Sequence, residues 1–94
     1  MNHWWIDEPS VLGSSDPTPE ELERLRDQGF NVLVSLLDEN NGETPKCEPR
    51  RAHELGYERH SIPIPDYQAP TLDQICEFTG LMRSLPLGSK ALIN

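Results

Sequence analysis

Positive charge is what this chain has least of. Against 16 Asp and Glu it carries 8 Lys and Arg, for a net charge of −8, and only Arg50 and Arg51 are adjacent. A nucleic-acid surface needs clustered cations to neutralise phosphates, so DNA or RNA binding is excluded, and an anionic membrane surface for the same reason. Cysteine is scarce too: Cys47 and Cys76 are the only two. They form no Cys-x-x-Cys pair and have no histidine at ligand spacing, so no metal site is expected and no disulfide framework. In a reducing compartment both stay thiols, Cys47 in a polar loop and Cys76 on a partly buried helix. No apolar run approaches the roughly eighteen residues of a membrane-spanning helix. Residues 1–5 have no basic region followed by an apolar stretch, as a secretory signal would. The expected location is cytoplasmic.

What is present suits a small folded domain, or part of one. The 94 residues are 35% hydrophobic and 26% charged, with nine prolines and six glycines. A chain of that length buries a modest fraction of its surface, and so many turn formers keep its elements short. Trp4-Trp5-Ile6 and Val11-Leu12-Gly13 read as two extended pieces around the turn-forming Asp7-Glu8-Pro9-Ser10. Of the two tryptophans, one is expected in the core and one at its edge. Thr18-Pro19-Glu20-Glu21 is a helix start: hydroxyl at the N-cap, proline at the first helical position and Glu three residues after the cap. Leu22 and Leu25 form that helix's apolar side and Gly29 its stop.

Residues 30–37 are almost continuously apolar and rich in β-branched side chains, which predicts a strand buried on both faces. A polar loop follows over 38–45, then a short helix over 49–55 ended by Gly56, then an alternating strand over 57–62 that suits a sheet edge. Ile62-Pro63-Ile64-Pro65-Asp66-Tyr67-Gln68-Ala69-Pro70 is stiff and extended; its prolines remove ladder donors, so it is a loop. Thr71-Leu72-Asp73-Gln74 opens a second capped helix, with Leu72, Ile75, Cys76, Phe78, Thr79, Met82 and Leu85 at helical spacing. Pro86 and Gly88 end it, and Lys90 to Ile93 begins a last strand. Strands alternating with helices give the fold class: α/β, with a largely parallel central sheet and flanking helices.

Asp66 is the candidate for chemistry. Prolines hold it on a rigid loop after a strand end and before a well-capped helix. Functional groups in open α/β sheets gather at such strand ends, and a preorganised loop suits an acid–base group. Read from spacing and composition alone, Asp66 is first of all a turn residue that bonds nearby amides.

Residues 62–66, with the helix after them and the strand Ala91-Leu92-Ile93, are similar to the front half of a dual-specificity protein phosphatase. Gly13-Ser14-Ser15, the helix over 19–29 and Val32-Leu33-Val34-Ser35-Leu36 also resemble that family, in the same order. The resemblance implies that Asp66 is the general acid that protonates the leaving oxygen of a phosphate monoester. It also implies a cysteine nucleophile and a phosphate-clamping arginine on a His-Cys-x-x-Gly-x-x-Arg loop after the last strand. Asn94 stands where the His is usual, and the 94 residues contain no such loop. The chain is therefore expected to be the N-terminal part of a phosphatase domain and inactive alone. No metal or cofactor is implied, and the partner is a phosphorylated protein or small phosphate monoester. Tyr67 and Asp38 are candidate substrate contacts; from their residues alone, Asp38 and Glu39 read first as a solvated loop pair. Without the family's later helices, sheet faces stay uncovered and self-association is expected. A non-catalytic interaction module completed by a partner, and an unrelated α/β enzyme with Asp38 and Asp66 as a carboxylate pair, are the other readings.

Overall fold

A computed structural model of the chain describes residues 2–65 and 68–94. Its elements are β1 (His3–Asp7), β2 (Val11–Ser14), α1 (Pro19–Asp27), β3 (Val32–Ser35), a 3-10 turn (Glu39–Asn41), α2 (Pro49–Glu54), β4 (Glu58–Ser61), α3 (Leu72–Ser84) and β5 (Ala91–Ile93). They build a five-stranded sheet in the order β1-β2-β5-β3-β4. Only the β1–β2 pair is antiparallel; β2–β5, β5–β3 and β3–β4 are parallel. The mixed, largely parallel sheet with flanking helices is the expected class.

Local chemistry explains the element ends. At α1 the Thr18 hydroxyl accepts the Glu21 N–H and the Glu21 carboxylate accepts the Thr18 N–H at 3.0 Å. That bond from the Thr18 amide is the main cause holding the Glu21 carboxyl down at about 2. Gly29 stops the helix in the left-handed region at φ 98°. β3 is shorter than the apolar run that contains it because both ends of the run bond elsewhere. The Phe30 N–H closes α1 on the Leu25 carbonyl at 3.1 Å, and the Leu37 carbonyl accepts the Glu39 N–H at 2.8 Å as the 3-10 turn begins.

The strands place alternate residues on opposite faces. On the first face Leu12, Leu33 and Leu92 pack with Leu22 and Leu25 of α1, Ala52 of α2, Phe30, Cys47 and Tyr57. On the second, Val32, Val34, Ala91 and Ile93 meet the half-buried Phe78, Leu81 and Met82 of α3. β5 lies between β2 and β3 and is buried throughout, so the last apolar run is the middle of the sheet.

Three expectations are corrected. Neither tryptophan is in the core: Trp4 is 54% exposed and Trp5 45%, because β1 is an edge strand with no helix over it. Trp4 instead lies over Gly13, where a Cβ would come within 2.4 Å of its indole nitrogen, and Trp5 stacks on Phe30 at 6.3 Å between centroids. Cys47 is buried in the first core despite its polar sequence surroundings. Cys76 is exposed, since α3 turns that side of itself to solvent. No helix among the described residues is long and apolar enough to cross a membrane.

Candidate functional site

The chain leaves β3 for α2 on the first face and leaves β4 for α3 on the second. Exits that diverge in this way open a crevice at the carboxyl ends of the strands, where α/β folds bind ligands. The backbone bonds beyond the strands show what lies there. The Ile62 N–H donates to the Ser35 carbonyl at 2.8 Å and the Ile64 N–H to the Leu36 carbonyl at 3.2 Å. The ladder thus continues past β4 and pins residues 62–64 to the exit of β3. β4 is an edge strand, so the donorless Pro63, which alternates with Ile62 and Ile64, costs the sheet no bond. Leu36 also donates its own N–H to the Asn94 carbonyl at 2.6 Å. One residue therefore joins the end of β5 to the loop that follows β4.

Asp66 and Tyr67 lie outside the described residues. Their neighbours are bonded to each other: the Gln68 N–H donates to the Pro65 carbonyl at 3.2 Å. Asp38 is described and lies at the same strand ends, buried. Its carboxylate accepts from the Asn41 amide at 2.7 Å and its backbone N–H donates to the Glu43 carboxylate at 2.7 Å. Its carbonyl takes the N–H groups of Asn41 and Glu43 at 3.1 and 3.2 Å. These bonds order the loop after β3.

Glu39 is more than a solvated neighbour of Asp38. It forms an ion pair with Arg59, whose side chain is only 11% exposed, and accepts the hydroxyls of Ser35 and Ser61 at 3.4 and 3.3 Å. The sequence reading missed this cluster. Its signal is the register, which sets Leu33 beside Arg59 and Ser35 beside Ser61, and no local pattern shows that. Asp16 was also missed. It accepts the Lys46 N–H at 2.8 Å and the Asn94 side-chain amide at 3.3 Å, tying the loop after β2 to the loop before α2 and to the end of β5. Beside it, Ser14 Oγ and Asn94 Oδ1 are buried without a hydrogen-bond partner among the described residues.

Neither cysteine is a nucleophile in the phosphatase sense. Burial pushes the Cys47 thiol up, which favours the unreactive neutral form. His53 and Met82 stand where a Cys-x-x-Gly-x-x-Arg loop starting at Cys47 or Cys76 needs its arginine. Among the described residues no cluster of His, Cys, Asp and Glu has the arrangement to hold a metal ion. Between the strand ends and α3 lies a cavity of about 290 Å³, walled by Leu36, Ile62, Ile64, Pro70, Ile75 and Phe78.

Comparison with known proteins gives this architecture relatives. The family described as "Tc-R-P: Polymorphic toxin system, DSP-PTPase phosphatase" matches residues 9–92. Among solved structures, a DUF442 candidate phosphatase from Shewanella putrefaciens CN-32 superposes with a TM-score of 0.78 at 22% identity, a likeness of fold. Tk-PTP, in a mutant form, superposes at 0.76 with 26% identity, and in its active form at 0.73 with 25%. No curated protein matches the chain. The chain covers 93% of its own length against the Shewanella protein but 54% of that protein, and 97% against 58% for the mutant Tk-PTP. It spans little more than half the length of the solved relatives it matches.

Proposed function

The chain belongs to the DSP-PTPase phosphatase family of polymorphic toxin systems, and from that membership we propose that it is the front part of a cysteine-dependent phosphatase acting on phosphate monoesters, with Asp66 as general acid. In this reading a Cys-x-x-Gly-x-x-Arg loop follows β5 in the full protein. Its thiolate attacks phosphorus and the P–O bond to the leaving group breaks. Asp66 gives that oxygen its proton, and the arginine holds the phosphoryl oxygens. Asp66 then takes a proton from the water that attacks the phosphocysteine, which releases phosphate and restores the thiolate. The family's description extends the proposal to a phosphatase working within a toxin system; its substrate in this reading is a phosphorylated protein or a small phosphate ester.

The observation that supports this most is the Leu36 bridge. Leu36 donates to Asn94 on one side and accepts from Ile64 on the other. A loop following Asn94 then starts about two strand spacings, roughly 10 Å, from the loop that carries Asp66. Asp16, Ser14 and the Asn94 side chain line the same strand ends and suit the anchoring of that loop.

The experiment is hydrolysis of phenyl phosphate by the full-length protein and by its Asp66→Asn variant. The expected loss in kcat is about 10²–10⁴-fold, with turnover abolished when the cysteine of the nucleophile loop is replaced. Residues 1–94 alone turn nothing over. An Asp66→Asn enzyme as fast as the wild type sinks the assignment.

A further inference from the structure

The loop between β4 and α3 is held by a side chain that neither its own prolines nor the strand pairing explains. The α1 and α3 helices start with the same device. At α1 the N3 residue is Glu21 and at α3 it is Gln74, and each accepts the backbone N–H of its threonine N-cap, at 3.0 and 2.8 Å. A capping box works with either residue. Gln74 does more: its Nε2 donates to the Pro63 carbonyl at 2.8 Å. Ile62 and Ile64 direct their N–H groups at Ser35 and Leu36, at the exit of β3, so the pleat turns the intervening Pro63 carbonyl to the open edge, where no strand can pair it. The two ends of one carboxamide therefore tie residue 63 to residue 71, on either side of Asp66 in the chain. A glutamate cannot do this, because an ionised carboxylate has no donor. The bond is partly buried beside the apolar cavity, where water competes poorly.

We infer that Gln74 is a positioning residue: its amide clasps the loop that carries Asp66 to the start of α3. The inference rests on the reading of Asp66 as general acid. A general acid acts only within hydrogen-bond reach of the leaving oxygen, and small misplacements cost large factors in rate. The clasp holds residues 63 and 71 together, so the two ends of the loop are fixed before the substrate arrives. It is one hydrogen bond in strength, and its loss opens the stem by roughly 3–10-fold in population.

The test is Gln74→Glu in the full-length protein, which keeps the helix cap and removes the donor. Amide hydrogen exchange is followed at Thr71, Ile64 and Gln68. Thr71 is expected to stay as protected as in the wild type, which also shows that α3 is folded, while Ile64 and Gln68 exchange roughly 3–10-fold faster. A carboxyl at 74 that keeps the Thr71 amide bond is held below the ordinary value of about 4.3, as the Thr18 amide holds Glu21. Lowering the pH below that held value protonates it and restores a donor, so the difference from wild type at the same pH should shrink. A purely structural cap has no reason to show that rescue. Turnover of phenyl phosphate should fall by a similar factor, and that of 2,4-dinitrophenyl phosphate by less, since its leaving group departs without a proton. Gln74→Ala, which loses both bonds, should expose Thr71 as well. Unchanged exchange at Ile64 and Gln68 in Gln74→Glu overturns the clasp. Faster exchange with no leaving-group effect, in an enzyme where Asp66→Asn shows one, overturns the positioning role alone. If Asp66→Asn shows no leaving-group effect, the general-acid reading falls and takes the positioning role with it.

Discussion

The two faces of this sheet are made by the same strands and end in different states. On the first face α1 and α2 seal the sheet: Leu22 and Ala52 are fully buried, and the Tyr57 hydroxyl, itself buried, donates to the Leu22 carbonyl at 2.6 Å. On the second, α3 buries none of its residues; Leu72 is 75% exposed and Ile75 47%. The strands supply apolar residues to both, with Leu33 and Leu92 on one side and Val32, Val34 and Ile93 on the other. These strand residues are buried on both faces, so the difference lies in the helices: α1 and α2 bury side chains of their own, and α3 buries none. The division also sorts the roles. The closed face is the frame, and the loop that carries Asp66 joins the open face, with Ile64 and Pro70 on the wall of its cavity.

Large-to-small substitutions test that contrast most directly. Leu22→Ala should cost about 2–5 kcal/mol in chemical denaturation, which for a small domain approaches the whole of its stability. Phe78→Ala on α3 removes a larger side chain and should still cost less, roughly 1–2 kcal/mol, because that ring is only half-buried. Equal losses would erase the distinction between the faces. Tyr57→Phe keeps the ring and strips the Leu22 carbonyl of its donor, so a loss of about 1–2 kcal/mol is expected. Tyr57 also makes the closed face sensitive to alkali. Burial pushes its pKa up from 10.0 to about 12. A raised folded pKa means a contribution that is complete below pH 10 and lost as pH climbs towards 12. A melting series in that range should fall more steeply for wild type than for Tyr57→Phe.

Smaller effects belong to the surface and to the open side. Glu21 titrates at about 2 instead of 4.5, so its share of stability is complete above pH 4.5 and disappears as pH falls towards 2. Glu21→Gln should flatten the acid side of the melting curve. Leu72→Ser should change stability within about 0.5 kcal/mol. A loss well above that would show that Leu72 is packed and not at the surface.

The local signals were read from sequence because each is complete within a few residues. Thr18 and Glu21, and Thr71 and Gln74, cap their helices as the pattern implies, since a capping box needs only its own turn. Gly29 and Gly56 take the left-handed conformation expected of helix stops. The buried run around Val32 to Ser35 and the alternation over Glu58 to Ser61 became strands, one central and one at the edge. What stayed hidden depended on pairing. Arg59 looks like an outward charge until the register puts it one strand away from Leu33 and within reach of Glu39. Cys47 looks solvated until the first core closes around it. One of Trp4 and Trp5 looks like a core residue because large aromatics usually are, and only the order of strands puts both on an edge.

By itself, then, the sequence determined the elements, their order, and the family resemblance that membership later matched, because turn chemistry and periodicity are short-range. Only the tertiary structure decided which face is closed, that Asp16 and Leu36 join the ends of separate strands, and that Gln74 reaches Pro63. Those contacts link residues far apart in the chain, or depend on which way a carbonyl points in a pleat, and they exist only once the strands have chosen their neighbours.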